Sequence, residues 1–251
     1  MLRLCVSVDL MSATEIVVAI DGPAGSGKSS VSKAIAAQFD FAYVDTGATY
    51  RAMAWWVLAE GIDPTDAETV AARCEEPRID LATDPAALGV RVDGVDVSRA
   101  IREADVTGAV SHVSAVPQVR ARMVQMQRDI VARAAAQGRG SVVEGRDIAS
   151  VVFPNAPVKV FLTADTEIRA QRRALEDQER AGGAVVDVGS TVAGLEQRDA
   201  LDSGRALSPL TRLADAVHID ATHLTLPEVV ALVADLVVSA GSIMRENGPH
   251  G

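Results

Sequence analysis

Glycines, a lysine and a serine follow the first apolar strand-like stretch of the chain in the spacing G-x-x-x-x-G-K-S, from Gly22 to Ser29. A glycine-rich turn lets consecutive backbone N–H groups converge on phosphate oxygens because no Cβ blocks the approach, and a following helix adds its positive N-terminal end. Lys28 would then reach the β and γ phosphates of a nucleotide, and the Ser29 hydroxyl would bind Mg²⁺. The predicted phosphate loop consists of Gly22, Pro23, Ala24, Gly25, Ser26, Gly27, Lys28, Ser29 and Ser30.

The alternative interpretation of this motif is an ordinary Gly-Ser turn with a solvated lysine. An apolar run at 16–20 precedes the motif, and an amphipathic stretch from Val31 to Gln38 follows it. Strand, glycine-rich turn and helix in this order are the context that phosphate binding requires. We therefore expect this segment to bind a nucleotide phosphate.

Two further groups of polar residues follow strand-like runs. Thr46 and Arg51 come just after the second run, where they could hold a second phosphate; a helix cap with a solvated arginine is the alternative. Arg146 and Asp147 follow the run 141–144 and could form a clamp, with a surface salt bridge as the alternative. Because the carboxyl ends of parallel strands meet at one edge of a sheet, both groups are predicted to lie near the phosphate loop.

Arginines at helical spacing form a third group late in the chain. Arg198, Asp202 and Arg205 stand at i, i+4 and i+7, so that they share one face of a helix, either as a binding surface or as an ion-pair ladder.

Arg120 falls in the first turn of a predicted helix from Pro117 to Gln137, where the helix dipole disfavours a cation. That position suggests an anionic or polar partner for Arg120.

The elements that must position these residues alternate between strands and helices. Further strand-like runs lie at 41–45, 141–144, 158–162 and 217–220. This alternation predicts a parallel sheet covered by helices.

Two segments interrupt the alternation. Within 62–103, four valines flank Asp93-Gly94, a dipeptide that favours a tight hairpin turn, so we predict an inserted antiparallel patch. Residues 167–193 hold Arg169, Arg172 and Arg173, which suits a lid that closes over a phosphoryl group; an ordinary surface helical hairpin is the alternative.

Composition narrows the class of protein. The 251 residues carry a net charge of −10 and a pI near 4.9, which argues against a nucleic acid polymer as partner because backbone phosphates need a basic surface. The two cysteines, Cys5 and Cys74, are too few for a disulfide framework and favour the cytoplasm. The apolar stretch from Val229 to Val238 is interrupted by Asp235 and is expected to be too short to span a bilayer.

The chain start is a poor signal peptide, because it is short, carries Asp9 and lacks a cleavage site of small residues. Met11 precedes a polar stretch and then the first strand, so the first ten residues are expected to be a loose tail or a mis-called start.

Taken together, the motifs resemble those of bacterial cytidylate kinases, from about residue 15 to 235. The resemblance rests on GPAGSGKSS, DTGATYR, the run from Ser111 to Arg120, VEGRDIASVVFPNAPVKVFL and RDxxDSxRxxSPL. It implies a nucleoside-monophosphate kinase of the α/β class, a P-loop three-layer sandwich with a five-stranded parallel core. The core would comprise 15–61, 104–166 and 194–241, with a nucleotide-binding insert at 62–103, a lid at 167–193 and loose tails at 1–14 and 242–251.

Roles for individual residues also follow from the resemblance. It places Thr46, Arg51, Arg146 and Arg205 around the acceptor phosphate, Ser111, Arg120 and Asp147 at the cytosine edge, Arg198 and Asp202 at the ribose, and Tyr50 along the pocket. Lys28, Arg146 and the three lid arginines, Arg169, Arg172 and Arg173, would act on the transferring phosphoryl group; which lid arginine touches it stays open. Two positions depart from the family pattern: Ala149-Ser150 stands for Gly-Thr, and Glu144 stands for a more common Asp.

The expected reaction is transfer of the γ-phosphoryl group of ATP to CMP or dCMP, with Mg²⁺. The partners would be these small molecules, with no nucleic acid polymer and no membrane, and the protein would be a cytoplasmic monomer. A nucleotide-switched binding protein of the GTPase type is a rival, although the chain lacks an N-K-x-D motif. A kinase for UMP or AMP is a second rival.

Overall fold

The computed structural model describes residues 16–180, 192, 194, 199–200, 204 and 210–246. The strands are β1 (Val17–Asp21), β2 (Ala42–Asp45), β3 (Ile79–Leu81), β4 (Val90–Val92), β5 (Val95–Asp96), β6 (Ser141–Gly145), β7 (Val158–Thr163) and β8 (Val217–Asp220). The helices, labelled over the described residues, are α1 (Lys28–Phe39), α2 (Thr46–Ala59), α3 (Ala67–Arg73), α4 (Ala104–Ala115), α5 (Pro117–Ala136), α6 (Thr166–Arg180) and α7 (Leu226–Glu246). Two short turns complete the set, a 3-10 turn at Ala100–Arg102 and a π-helical turn at Ile148–Val152.

A five-stranded parallel sheet in the order β2-β6-β1-β7-β8 forms the centre of the fold. The strand-like runs predicted from sequence correspond to β1, β2, β6, β7 and β8, so the predicted α/β class is confirmed. In register, Asp21 lies beside Gly145, and Asp45 lies beside Glu144. The strands therefore end together, and the segments that follow them meet at one edge.

Helices cover both faces of this sheet, as its buried apolar strands require. One core cluster joins β1 and β7 to Ile35 of α1 and to Val229, Val233 and Val237 of α7. A second cluster on the sheet joins Val44 and Val143 to α5 and the π-helical turn. The result is the three-layer sandwich expected from the sequence.

Helix α5 begins and ends where sequence signals place it. Pro117 occupies the first helical turn, where its missing N–H costs nothing, and Gly138 follows the helix with a φ of 78°. Val119, Met123 and Ile130 form part of its buried face.

The insert is a three-stranded antiparallel sheet in the order β3-β4-β5. Asp93 and Gly94 have φ values of 50° and 82°, as the predicted tight hairpin requires. The third strand, β3, was not predicted, and it pairs Ile79 with Val92. On the other side, the carbonyl of Thr83 accepts the N–H of Tyr43 at 2.8 Å, so the insert is bonded to the edge strand β2.

Helix α7 corrects two expectations. The 18 residues Leu226–Ile243 have a mean hydropathy of 1.8, so by length and composition alone this stretch could cross a membrane, and the expectation that it is too short was wrong. Val229, Val233 and Val237 pack against the sheet while Leu232, Val238 and Ile243 are exposed, so one face of the helix covers the sheet and the opposite face is exposed. The helix also runs to Glu246, into the predicted tail at 242–251.

The start of the phosphate loop lies against β7 without room for a side chain. Gly22 has a φ of 151°, and a Cβ at this position would lie 2.0 Å from the carbonyl oxygen of Leu162. The glycine is therefore needed for the path of the backbone as well as for phosphate access.

Asp21 ties the end of β1 to the π-helical turn. Its two carboxylate oxygens accept the N–H groups of Ile148 at 2.9 Å and Ala149 at 2.8 Å. Burial raises the pKa of Asp21 to about 6, and the Asp147 charge adds to this, while the two N–H bonds and Lys28 oppose it. Asp21 therefore links β1 to the π-helical turn, and burial makes its charged form less favourable than it would be in water.

Replacing Gly22 tests the close approach to β7. We expect Gly22→Ala to lower the free energy of unfolding by more than about 3 kcal/mol, because backbone must move to admit the methyl group. Gly108→Ala is the matched control: Gly108 lies within α4 with nothing near its Cβ position, so stability should rise by up to about 1 kcal/mol. Thermal and urea unfolding measure both, and equal stability of the two variants would contradict the prediction.

The raised pKa of Asp21 predicts a pH dependence of stability. Between its ordinary value of 3.8 and about 6, the folded state keeps a proton that the unfolded state has lost, so stability falls as pH rises through this window and levels off above it. The fall should be about 3 kcal/mol, at about 1.4 kcal/mol per pKa unit. Urea unfolding of wild type and Asp21→Asn from pH 4 to pH 7 isolates this contribution, since the variant cannot titrate here. If the free energy of unfolding of wild type rises relative to that of Asp21→Asn as the pH increases, the prediction is refuted.

Candidate active site

A cleft opens at the carboxyl edge of the parallel sheet, where the phosphate loop, the start of α2 and the segment after β6 meet. The cleft is lined by Ala24, Gly25, Gly27, Lys28, Ser29, Ser30, Asp45, Thr46, Gly47, Tyr50, Arg51, Arg102, Val110, Ser111, Ser114, Arg120, Glu144, Gly145, Arg146, Asp147 and Arg173. Most of the sequence-predicted site residues that the structure describes are in this set. They come from distant parts of the chain and are brought together by the shared strand ends.

The phosphate loop has the backbone conformation that its glycines permit. Gly25 and Gly27 have φ values of 74° and 94°, which side-chain-bearing residues rarely adopt. Helix α1 begins at Lys28, and no side chain caps its first turn within the described residues. Lys28 is buried, and its Nζ donates to the Pro23 carbonyl at 2.7 Å. The amides of a first helical turn beside a fixed ammonium group form an environment for an anion.

Glu144, at the end of β6, faces the phosphate loop. Its carboxylate accepts the Ser29 hydroxyl at 3.0 Å and, on the other oxygen, the hydroxyl of the buried Tyr43. Burial raises the pKa of Glu144, as does the nearby charge of Asp45, while Lys28 and the two hydroxyl donors oppose the shift. Sequence reasoning treated Glu144 as a departure from a pattern and did not identify Tyr43 as its partner.

Ser29 and Glu144 provide oxygen donors of the kind that Mg²⁺ prefers. Across the part of the chain that the structure describes, no three His, Cys, Asp or Glu side chains are grouped to hold a metal ion. That donor set fits an ion bound by one hydroxyl, nearby carboxylate and nucleotide phosphates, because Mg²⁺ in nucleotide sites takes few protein ligands. The residues present are therefore compatible with a magnesium–nucleotide complex.

Arg51 lies on α2 and is buried rather than solvated. Its Nη1 donates to the Thr107 hydroxyl at 2.9 Å and to the Ile101 carbonyl at 3.3 Å. Asp45 caps the same helix by accepting the N–H of Ala48 at 3.0 Å. The cap and the buried arginine thus occur together, while the predicted alternative of a solvated arginine is excluded.

Arg120 and Asp147 pair with each other across the cleft. Both are buried, and the guanidinium donates to the Asp147 carboxylate. Arg120 also lies over the ring of Tyr50, with 5.6 Å from Cζ to the ring centroid, which stabilises its charge. The alternative of a surface salt bridge for Asp147 is excluded by this burial.

Other predicted positions have the following locations. Thr46 is buried and donates to the Glu144 carbonyl at 2.6 Å, while Ser111 and Arg146 line the cleft. Arg198, Asp202 and Arg205 lie outside the described residues, as does the part of the predicted lid at 181–191.

The three arginines of α6 occupy different environments. Arg173 lines the cleft. Arg172 donates to the Ala221 carbonyl at 2.8 Å, and Arg169 is buried among backbone carbonyls. Spacing along the helix did not distinguish them, because the distinction arises from what the helix packs against.

Arg102 is a cleft residue that sequence reasoning missed. It ends the 3-10 turn at the end of the insert and lies 3.7 Å from the Asp45 carboxylate. The sequence feature that could have identified Arg102 is its position soon after the predicted hairpin, where the chain returns to the core.

Comparison with known proteins agrees with this geometry. The cytidylate kinase family profile matches residues 18–239. Curated relatives named cytidylate kinase include those of Streptomyces coelicolor, at 52% identity over 90% of this chain and 94% of the relative, and Streptomyces avermitilis, at 50% over 88% and 92%. The cytidylate kinase of Mycobacterium leprae is 49% identical over 89% of this chain and 96% of its own length. With a family match that spans most of its length and relatives at about half identity, this chain belongs to the cytidylate kinase family.

Proposed function

We propose that this protein transfers the γ-phosphoryl group of ATP to CMP and dCMP, giving ADP and the nucleoside diphosphate. The observation that carries the proposal is one cleft that is lined by a phosphate loop, by the buried Arg120–Asp147 pair and by the arginines Arg51, Arg146 and Arg173. Membership of the cytidylate kinase family supports the same reaction.

The phosphate loop and Lys28 would bind the β and γ phosphates of ATP. Mg²⁺, when bound with the nucleotide, would neutralise phosphate charge, and Ser29 and Glu144 are the side chains that would hold it. Tyr43 would keep Glu144 turned towards Ser29 through its hydrogen bond. The chain's own contribution is therefore to fix the donor phosphates in one position.

The acceptor phosphate would be held by Thr46, Arg51, Arg146 and Arg205. Two polyanions must approach each other, and fixed cations offset their repulsion. Because the acceptor phosphate is already ionised, it can attack directly and no general base is needed. Arg173, the lid arginine that lines the cleft, is the one that we expect to contact the transferring group.

Cytosine would be recognised by Arg120, Asp147 and Ser111. A carboxylate can accept from the exocyclic amino group of cytosine, and a guanidinium can donate to its ring acceptors. Such a site rejects bases that lack this pattern, since its buried polar groups would then be left unpaired. Arg198 and Asp202 are proposed to bind the ribose, and Tyr50 to line the pocket.

The proposal also covers the partners, the location and the oligomeric state of the protein. The partners are expected to be ATP, CMP and dCMP, with no nucleic acid polymer and no membrane, and the protein is expected to act as a cytoplasmic monomer. The strongly acidic composition supports the exclusion of nucleic acid.

An acceptor panel tests the reaction. ADP release is measured with ATP and Mg²⁺ and with CMP, dCMP, UMP, AMP or GMP, against a blank without acceptor. We expect turnover with CMP and dCMP and at least about 100-fold lower kcat/KM with the purine monophosphates, a difference of nearly 3 kcal/mol. Preferred turnover of UMP or AMP would overturn the base pocket, and GTP binding without phosphoryl transfer would support a nucleotide switch instead.

Arg51 is predicted to act on the acceptor and not on the donor. Arg51→Met should lower kcat/KM for CMP by about 100-fold, because a fixed cation is lost where two phosphates meet, while the Kd of ATP stays within about twofold. Arg133→Met, an exposed position on α5, is the control for loss of one positive charge. Steady-state kinetics and calorimetric ATP binding measure both effects. Unchanged CMP turnover in Arg51→Met would remove this residue from the site.

A further inference from the structure

The π-helical turn after β6 determines where the Asp147 carboxylate lies. Asp147 lines the cleft and directly precedes the turn, and its carbonyl accepts the N–H groups of Val151 at 2.9 Å and Val152 at 3.2 Å. The Phe153 N–H donates to the Ile148 carbonyl at 2.7 Å and closes the turn. Turns of this type are rare and occur frequently at functional sites. The backbone of Asp147 is therefore part of the turn, and a shift of the turn moves its side chain.

The start of the turn is held by a side chain from the sheet. Asp21, at the end of β1, accepts the N–H groups of both Ile148 and Ala149. N–H groups in the first turn of a helix have no partner within the helix, so they need one from outside it. Asp21 is buried, which shields both bonds from water. This end of the turn is therefore anchored to β1.

Arg128 of α5 binds the other end of the turn. Its Nε donates to the Val152 carbonyl at 3.0 Å, and its Nη2 donates to the Val151 carbonyl at 2.9 Å. Carbonyls at the end of a helix likewise need outside partners, and the fixed fork of a guanidinium offers two donors to neighbouring acceptors. Arg128 is exposed and is not among the described residues that line the cleft. It can therefore act on a ligand in the cleft only through the turn.

Helix α5 holds both partners of the buried pair. Arg120, in the first turn of α5, donates to the Asp147 carboxylate. Arg128 follows eight residues later on the same helix, about 12 Å along its axis, and bonds the turn that carries Asp147. The two arginines thus attach the side chain and the following backbone of one segment to one rigid element. Loss of the second attachment would let the carboxylate shift relative to Arg120.

We infer that Arg128 is a positioning residue for base selection, which fixes the π-helical turn from outside the cleft and so holds the Asp147 carboxylate where it meets the base. The inference rests on the proposed function for the identity of that base. Cytosine offers an amino group to the carboxylate, whereas uracil has a carbonyl acceptor at the same ring position. A carboxylate that can move away tolerates uracil better, because the two acceptors need not face each other. Arg128 thereby favours CMP over UMP.

Arg128→Met tests the inference in steady-state kinetics with CMP and UMP as alternative acceptors. The ratio of kcat/KM for CMP to that for UMP should fall by about tenfold, because misplacement of a contacting group weakens its discrimination. The Kd of a non-hydrolysable ATP analogue should stay within about twofold, since the phosphate loop is anchored elsewhere. Arg133→Met is the matched control: this arginine is exposed on the same helix, and its loss removes the same charge. It should leave the ratio unchanged.

Amide hydrogen exchange of the ligand-free protein measures the turn directly. The amides of Val151, Val152 and Phe153 should exchange about tenfold faster in Arg128→Met than in wild type, because the end of the turn opens more often. Exchange of the β1 amides should not change. Arg128→Lys should give intermediate values in both experiments, since an ammonium group lacks the planar fork. It replaces Arg128→Met if that variant does not fold.

The outcomes separate positioning from a purely structural role. Faster exchange with unchanged selectivity, or an equal loss of kcat/KM for CMP and UMP, would make Arg128 structural only and overturn the inference. Unchanged exchange, or a wild type without preference for CMP over UMP, would overturn it as well. Failure of wild type to phosphorylate CMP would instead refute the proposed function. In that case, exchange and calorimetric binding of CMP and UMP still test the role of Arg128 without turnover.

Discussion

Among the described residues, seven charged side chains are buried near the carboxyl edge of the parallel sheet, and burial of a charge is tolerated only where the group has partners. Four are cations, Lys28, Arg51, Arg120 and Arg169, and three are the acids Asp21, Glu144 and Asp147. Each is held by hydrogen bonds to backbone groups, to hydroxyls or to opposite charges. The strands end in register, so the segments that follow them, which carry most of these partners, meet at this edge of the sheet.

The pairing of Arg120 with Asp147 shows how such a site stays stable without a nucleotide. Either group alone would be a buried, uncompensated charge. Under the proposed function, binding of a base would be an exchange of partners, in which hydrogen bonds to the base replace part of the ion pair. A base with the wrong donors and acceptors would not complete the exchange, so the closed pair would itself oppose incorrect ligands.

Local sequence patterns were sufficient to predict the strands, the hairpin and helix α5, because apolar periodicity, Asp-Gly and terminal Pro and Gly act over a few residues. They could not predict β3, whose three residues form a strand only because Val90 and Val92 lie alongside. Similarly, the sequence predicted the same role for Arg169 and Arg173, that of lid arginines acting on the phosphoryl group. Their different environments depend on the tertiary packing of α6 against the phosphate loop, and no pattern within α6 records it.

The bond between the Thr83 carbonyl and the Tyr43 N–H has a consequence for solubility. Strand β2 is the last strand on its side of the sheet, and an uncovered edge offers unpaired backbone groups to strands of other molecules. The insert covers part of that edge with its own chain. The insert thereby protects the sheet against edge-to-edge aggregation, so shortening it would expose a surface that promotes self-association.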